Sequence, residues 1–298
     1  MAVIALGTFD GVHAGHMALL CMTREAAAQR NDTALIHTFA NHPRGVFAKA
    51  PRLLMRDAAR LAALGAQGCT LVADDFTEDY AALSPQAFVQ MLLSRLDMRA
   101  VVTGYNYTFG AKGAGNVETL ARLGAQLGFD VITMPPCLQA GAPISSTRIR
   151  ACIETGRMEE ANAMLGRAYG MCGTVAPGRH IGRTLGFPTA NIACDAQLVR
   201  PKVGVYAAYA GFDGVMYPAI TNVGGNPTVG AVDTRVETHL LGFTGDAYGR
   251  TLDVRFMAFM REETRFADTK ALRAQLARDA AAAGGILRKL PIYKDFSV

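Results

Sequence analysis

Two histidines at a spacing of three residues are the first candidates for chemistry in this chain. His13 and His16 lie in the segment GTFDGVHAGH, directly after an apolar run at residues 2–6. If a helix begins there, both imidazoles share one face of its first turn. Helix N-termini present unpaired N–H groups to phosphate, and glycines let backbone approach a ligand closely. Two imidazoles so placed suit the charge that develops as a phosphoanhydride bond breaks; histidines that only cap a surface helix are the alternative.

A second polar pair lies in the glycine-rich segment GRTLGFPTAN, where Thr189 and Asn191 are two residues apart. Side chains alternate along an extended strand, so these two point to the same side. A hydroxyl and an amide oxygen suit a hard cation such as Mg²⁺, which prefers oxygen ligands and shares phosphate oxygens. On spacing alone, a Pro-Thr turn with a locally capping asparagine is the competing interpretation.

The elements that position the first pair are predicted by alternating strand and helix patterns. Short buried strands are expected at residues 2–6, 35–39, 70–73, 100–103 and 130–134. Helical patterns are expected at residues 15–30, 84–96 and 117–127. The second helix has Ser84 as its expected N-cap and Pro85 at its first position. This alternation predicts a doubly wound parallel α/β sheet, in which ligands bind beyond the carboxyl ends of the strands.

The pattern changes near residue 170 to strands separated by turns. Strands are expected at residues 203–211, 215–221, 236–243 and 251–259. Asp213-Gly214 between the first two favours a hairpin, and the whole predicts an antiparallel β-barrel. Asp268 is the expected N-cap of a closing helix at residues 269–283. We therefore expect two domains, 1–167 and 168–298, with a helix at residues 149–164 before the boundary.

Several motifs, in order along the chain, resemble bacterial bifunctional riboflavin kinase/FAD synthetases (FMN adenylyltransferases). In the first half GTFDGVHAGH resembles the HxGH signature of nucleotidyltransferases, and residues 37–44, 104–110 (GYNYTFG) and 144–150 (ISSTRIR) resemble three further family segments. In the second half GRTLGFPTANI resembles the riboflavin kinase signature, and the similarity continues through ETHLL at residues 237–241 to residues 261–266. The resemblance covers residues 3 to about 282.

In the first half, this resemblance implies catalytic roles for His13, His16 and Arg148. It implies ATP contacts for Gly7, Phe9, Asp10, Gly15, Asn106, Ser145, Ser146 and Thr147. It also implies that His42 and Arg44 help to bind the flavin. Asn41 stands where family members commonly have proline, so we expect a less rigid loop there.

In the second half, the resemblance makes Glu237 the candidate catalytic base, because a carboxylate can accept the proton of a hydroxyl that attacks phosphorus. A solvated strand carboxylate is the alternative. Thr189 and Asn191 become metal ligands, and Arg261 and Glu263 become flavin contacts, with a helix-flanking ion pair as their alternative. ATP contacts are expected at Gly182, Gly186 and Pro188.

The expected function is ATP- and Mg²⁺-dependent phosphorylation of riboflavin to FMN, followed by adenylylation of FMN to FAD. A chain with one decayed activity and a flavin-binding protein without turnover are the alternatives. The net charge of +5 comes without a long Lys/Arg run, which argues against nucleic acid as a partner. No apolar stretch approaches the roughly 20 residues of a membrane span. The six cysteines include no CxxC pair, which argues against zinc and favours reduced thiols in the cytoplasm. The oligomeric state stays open.

Overall fold

The computed structural model describes residues 1–46, 51–176, 187–228 and 231–290. Contacts divide the chain into two compact units, one covering Met1–Ser146 and the other Thr147–Ser297. Each unit is described by itself below. Within the described residues, no helix has the length and apolar character needed to cross a membrane.

The first unit is built on a parallel sheet, as the sequence predicts. Its described strands are β1 (Ala2–Leu6), β2 (Thr33–Phe39), β3 (Thr70–Asp74), β4 (Met98–Gly104) and β5 (Asp130–Met134). They lie in the order β3-β2-β1-β4-β5, and each neighbouring pair is parallel. The strand order reverses between β1 and β4, which is where open α/β sheets bind their ligands.

Helices cover both faces of this sheet. They are α1 (Ala14–Arg30), α2 (Asp57–Gly65), α3 (Glu78–Ala82), α4 (Pro85–Leu96) and α5 (Val117–Leu127). Ile4 and Leu6 of β1 pack into one apolar cluster with residues of α4 and α5. Val3 and Ala5 pack into a second cluster with residues of α1 and α2. Because successive side chains of a strand face opposite sides, β1 is buried on both faces, as expected for the central strand of a doubly wound sheet.

The local signals for α4 and α5 are confirmed. Ser84 caps α4 by accepting a hydrogen bond from the Ala87 N–H, and Pro85 is the first helical residue. Gly128 ends α5 in the left-handed conformation, at φ 81°. The helices α2 and α3 and a short hairpin, β6 (Leu138–Gln139) with β7 (Ala142–Pro143), are elements that the sequence patterns did not indicate.

The single helix predicted at residues 149–164 is wrong, because the chain forms α6 (Ser146–Glu154) and α7 (Met158–Leu165) instead. Gly156 adopts φ 80° between them, a left-handed conformation that terminates a helix. Asn162 of α7 forms hydrogen bonds with the backbone of the barrel. Its Nδ2 donates to the Phe256 carbonyl at 2.8 Å, and its Oδ1 accepts from the Tyr169 N–H at 2.7 Å.

The second unit is the predicted antiparallel barrel. Its described strands are β8 (Tyr169–Thr174), β9 (Ala190–Ala193), β10 (Gly204–Phe212), β11 (Val215–Thr228), β12 (Ala231–Leu240) and β13 (Thr251–Arg261). They lie in the order β8-β13-β10-β11-β12-β9. The Ala176 N–H donates to the Asn191 carbonyl at 2.9 Å, which brings the two outer strands together and nearly closes the barrel. A helix, α8 (Thr269–Leu287), is capped by Asp268 and packs Ala283 and Leu287 against the barrel core.

Candidate functional site

The two histidines of the first motif lie together at the N-terminus of α1. His13 is the N-cap, and its Nδ1 accepts a hydrogen bond from the His16 N–H at 3.3 Å. The two rings are stacked, with centroids 3.5 Å apart and planes inclined by 14°. A Cβ at Gly15 would lie 3.3 Å from the His13 ring, so the glycine leaves room for the two stacked rings. The imidazole pair therefore lies at the positive end of a helix dipole, where phosphate binding is favoured.

The loop between β1 and α1 is held in a strained conformation. Phe9, Gly11 and Val12 have φ of 53°, 79° and 38°, and a positive φ at a β-branched residue is rare. A Cβ at Gly7 would lie 3.0 Å from the Phe9 ring, so a side chain there would require the ring to shift. Backbone strain of this kind collects at ligand-binding sites, where the surrounding structure holds it in place.

Two contacts support this loop from elsewhere in the first unit. The buried carboxylate of Asp10 accepts a hydrogen bond from the Leu54 N–H at 3.0 Å. The Ser146 hydroxyl donates to the Asp10 carbonyl at 3.0 Å. The structure thus brings Ser146 of the ISSTRIR motif to the histidine loop.

The structure also gives the positions of the other residues that were expected to contact ATP in the first half of the chain. Ser145 precedes α6, and Thr147 and Arg148 lie in its first turn. Asn106 is exposed just beyond the carboxyl end of β4, next to β1 in the sheet. The roles of these four residues in binding ATP stay predictions.

Arg60 is a residue of this region that the sequence reasoning missed. It lies on α2 and its side chain is only 1% exposed. Its guanidinium donates to the carbonyls of Thr8 at 3.1 Å and Phe39 at 2.7 Å, to the Thr38 hydroxyl at 3.1 Å and to the Asp57 carboxylate at 2.8 Å. One arginine therefore ties the histidine loop to the end of β2. No local pattern marks it, because all of its partners except Asp57 are distant in sequence.

The loop after β2 contains the expected flavin residues. His42 is buried, and Arg44 lies in a short 3₁₀ helix, Pro43–Val46, with its side chain outside the described atoms. The Asn41 amide donates to the Phe76 carbonyl at 3.0 Å and accepts from the Phe76 N–H at 2.7 Å. These two hydrogen bonds restrain the loop. They compensate for the rigidity that a proline at residue 41 would have supplied.

A polar cluster lies under the same edge of the sheet. His37 Nε2 lies 3.0 Å from the Asp74 carboxylate, and Arg95 donates to both carboxylate oxygens at 2.8 and 2.9 Å. Burial lowers the pKa of His37 below its ordinary value, although Asp74 opposes that shift. Burial by itself raises the pKa of Asp74, but the hydrogen bonds and charges of Arg95 and His37 outweigh it and leave that pKa lowered.

In the second unit, Thr189 and Asn191 line a cavity of about 630 Å³. Phe243, Asp246 and Tyr248 line it as well. The Pro188 carbonyl is fixed by His239, whose Nδ1 lies 2.8 Å away. Two of the expected ATP contacts, Gly182 and Gly186, lie outside the described residues.

Glu237 stands beside this cavity in a cross-strand row. On β12 it is paired with Asn191 of β9 and with Asn222 of β11. Thr238 is buried and Glu237 is exposed, so the predicted alternation holds and places the carboxylate on the same face as His239. Glu237 is thus the cross-strand neighbour of an amide that lines the cavity, and its role as the base stays a prediction.

The two expected flavin contacts of this unit are both engaged with protein groups. Arg261 binds Asp279 of α8 in a fork, with distances of 3.1 Å from Nε and 2.7 Å from Nη2. Asp279 is buried. Glu263 Oε1 accepts from Asn222 Nδ2 at 2.9 Å. Arg261 therefore forms an ion pair with Asp279 and Glu263 binds Asn222, in place of the pairing between Arg261 and Glu263 that was the alternative. Flavin contact by either residue stays a prediction.

Comparison with known proteins also divides the chain into two parts. The FAD synthetase family model matches residues 1–148, and the riboflavin kinase family model matches residues 165–287. A solved structure described as a macrolide-efflux protein from Streptococcus pneumoniae superposes with a TM-score of 0.88 at 30% identity, over 97% of this chain and 94% of that one. That likeness supports the α/β and barrel folds described above.

Two curated relatives cover almost the whole chain. The bifunctional riboflavin kinase/FMN adenylyltransferase of Listeria monocytogenes is 36% identical over 284 residues, which is 93% of this chain and 90% of the relative. The protein of the same name from Escherichia coli is also 36% identical, over 282 residues and the same shares of both chains. The chain therefore belongs to the family of bifunctional riboflavin kinase/FMN adenylyltransferases.

Proposed function

We propose that this protein makes both flavin cofactors, phosphorylating riboflavin to FMN in its second unit and adenylylating FMN to FAD in its first, with ATP as co-substrate of both reactions. The observation that carries the proposal is that each unit has its own group of polar side chains suited to phosphate. The first has the stacked His13 and His16 at a helix N-terminus. The second has Glu237 beside the cavity lined by Thr189 and Asn191. We propose residues 1–167 and 168–298 as the two domains, both in the cytoplasm.

In the adenylylation, an oxygen of the FMN phosphate attacks the α-phosphorus of ATP and pyrophosphate leaves. We propose that His13 and His16 donate to the phosphates as negative charge moves onto the leaving pyrophosphate, with Arg148 as a planar donor to phosphate oxygens. The hydroxyls of Ser145 and Thr147 complete the binding of the triphosphate, while the Ser146 hydroxyl donates to the Asp10 carbonyl and anchors the motif to the histidine loop. Catalysis then depends on positioning and charge stabilisation, without a covalent enzyme intermediate.

In the kinase reaction, the 5′-hydroxyl of riboflavin attacks the γ-phosphorus of ATP and ADP leaves. That hydroxyl is not acidic, so a carboxylate within hydrogen-bond distance is needed to accept its proton. Glu237 is exposed beside the cavity, and this position supports the role of base.

The donor set of the second unit fits Mg²⁺. Asn191 is 8% exposed, and among the described residues its Oδ1 has no hydrogen-bond partner. A buried oxygen of this kind is suited to a hard cation. We propose that Thr189 and Asn191 hold Mg²⁺ together with the phosphates of ATP, where the cation neutralises phosphate charge.

Product analysis with riboflavin, ATP and Mg²⁺ tests the whole proposal. FAD accumulating after FMN supports both activities. FMN without FAD indicates that only the kinase is active, and FAD made only from supplied FMN indicates the reverse. Riboflavin bound without any product indicates a flavin-binding protein and contradicts the proposal. Omitting Mg²⁺ should abolish both products.

A further inference from the structure

Three polar side chains form a row across neighbouring strands of the second unit. Asn222, Glu237 and Asn191 are directly paired, in that order, on β11, β12 and β9. Residues directly opposite each other on antiparallel strands share one face of the sheet, with their Cβ atoms about 5 Å apart. The proposed base therefore has an asparagine on either side.

The two asparagines have different surroundings. Asn191 lines the cavity of about 630 Å³, and Asn222 does not. According to the function proposed above, on which this inference rests, the nucleotide binds in the cavity. Glu237 has to take a proton from the riboflavin hydroxyl that attacks phosphorus. The rest of the riboflavin molecule therefore extends away from the nucleotide. In the row, that direction is the side of Asn222.

The orientation of the Asn222 amide is fixed by Glu263. Asn222 Nδ2 donates to Glu263 Oε1 at 2.9 Å, and an ionised carboxylate can only accept. The amide nitrogen must therefore face Glu263, which directs Oδ1 the other way. A Cβ at Gly224 would lie 2.9 Å from Glu263 Oε1 and 3.3 Å from Asn222 Nδ2. The glycine thus leaves the space in which this pair forms.

The carbonyl oxygen of the same amide is available for a ligand. Asn222 Oδ1 is buried and has no hydrogen-bond partner within the described residues. A buried acceptor without a partner is unfavourable unless a ligand supplies the missing donor. Because this atom only accepts, it suits a hydroxyl group and not a phosphate oxygen, which also accepts.

We propose that Asn222 is a substrate-binding residue of the kinase site that accepts a hydrogen bond from a hydroxyl of the riboflavin ribityl chain. Glu263 is the positioning residue that keeps the Asn222 acceptor turned toward the substrate. Asn222 and Glu263 thereby favour a substrate that carries a polyol side chain. The terminal hydroxyl of that side chain gives its proton to Glu237.

Steady-state kinetics of Asn222→Ala with riboflavin and its 2′-, 3′- and 4′-deoxy analogues tests this proposal. Losing one neutral hydrogen bond to a buried acceptor should lower kcat/KM for riboflavin by about 10- to 100-fold, with the KM for ATP almost unchanged. One deoxy analogue lacks the donor hydroxyl, so wild type and variant should turn it over at equal rates. An equal loss on riboflavin and all three analogues, or a main effect on the KM for ATP, overturns the proposal.

The positioning role of Glu263 is tested with Glu263→Ala and the double variant. Without Glu263 the amide can flip, so Glu263→Ala should reduce riboflavin kcat/KM less than Asn222→Ala does. The double variant should then equal Asn222→Ala. Additive losses in the double variant overturn the positioning role.

Thermal unfolding of the same preparations, followed by circular dichroism, shows whether the barrel of each variant is folded; FAD formation from supplied FMN, which depends on the first unit, should be unchanged. If Asn222→Ala does not fold, the comparison is made with Glu263→Ala on the same analogues, where a uniform loss again overturns the proposal. A wild-type protein that makes no FMN contradicts the proposed kinase function, whereas an active Asn222→Ala with unchanged riboflavin kinetics contradicts only the role of Asn222.

Discussion

Arg60 Nη1 donates a hydrogen bond to the main-chain carbonyl of Thr8 at 3.1 Å. Thr8 belongs to the strained loop that leads to His13 and His16, while Nη2 of the same guanidinium donates to the Phe39 carbonyl at the end of β2. The side chain is 1% exposed. Arg60 therefore fixes the histidine loop relative to the end of β2, after which comes the loop that we propose binds FMN.

The first prediction concerns this arginine. Arg60→Met keeps much of the apolar stem but removes every donor, so the two loops lose their common anchor. A displacement of about 1 Å in a catalytic loop can cost about 10²-fold in rate, and we expect kcat for FAD formation to fall by ~10- to 100-fold. Arg60→Lys, which keeps the charge with fewer donors, should lie between wild type and Arg60→Met. FMN formation should be unaffected, and an equal loss of both activities would argue for general unfolding.

The second prediction concerns the histidine pair. His16→Ala removes one imidazole from the stacked pair and should lower the rate of FAD formation by about 10²–10³-fold, the usual effect of losing one donor to a developing oxyanion. Rates are measured with supplied FMN and ATP. FMN formation from riboflavin serves as the control and should stay near the wild-type rate. A variant that loses both activities together would mean that His16 has a structural role.

The third prediction separates the proposed base from the proposed metal ligands. Glu237→Gln keeps the shape of the side chain but cannot accept a proton, so kinase kcat should fall by about 10²–10⁴-fold with little change in substrate affinity. Thr189→Ala and Asn191→Ala should instead raise the KM for Mg·ATP, and added Mg²⁺ should partly restore activity.

A matched control lies on the same face of β12. His239→Gln removes the imidazole that fixes the Pro188 carbonyl, so it should alter the KM for ATP more than kcat. If Glu237→Gln behaves like His239→Gln, the assignment of the base is incorrect.

The fourth prediction concerns the helices between the two motifs. Fragments beginning at Thr147 and at Tyr169 should both phosphorylate riboflavin, because the described strands of the barrel lie within both. The longer one keeps α7, with its buried Met158 and Met164, each stabilising by about 1.5–3 kcal/mol. It also keeps the two hydrogen bonds of Asn162. Thermal unfolding should therefore occur at least ~10 °C higher in the longer fragment. Equal midpoints would show that α7 does not stabilise the barrel.

The fifth prediction concerns pH. Burial lowers the pKa of His37 in the folded state, so folding favours the neutral ring. This contribution to stability is fully present above the unfolded pKa, near 6.5, and is lost as pH falls toward the lowered folded value. The lowered pKa of Asp74 acts in the same direction at more acidic pH. The free energy of unfolding of the first unit should thus decrease below about pH 6.5. His37→Gln, which cannot titrate, should reduce that dependence; an unchanged profile would contradict it.

Local patterns in the sequence were enough to predict most of the regular structure. The bounds of β1 and β5, the Ser84 cap and the Gly128 stop depend on neighbouring residues alone, and the structure confirms them. The same holds for the face of β12 that carries Glu237, because alternation along a strand is a local property. The motifs around His16 and Thr189 are likewise contiguous, so the sequence by itself indicated the family and both reactions.

The tertiary structure decided which side chains support those motifs. Arg60 and Thr8 are 52 residues apart, and Asn222 and Glu263 are 41 apart; no periodicity links positions at such distances. Only the strand order of the barrel places Asn222 and Asn191 on either side of Glu237. Asp279 likewise reaches Arg261 only because α8 packs on the barrel. Burial and hydrogen-bond pairing depend on how distant segments meet, and therefore the supporting residues became visible only in the folded chain.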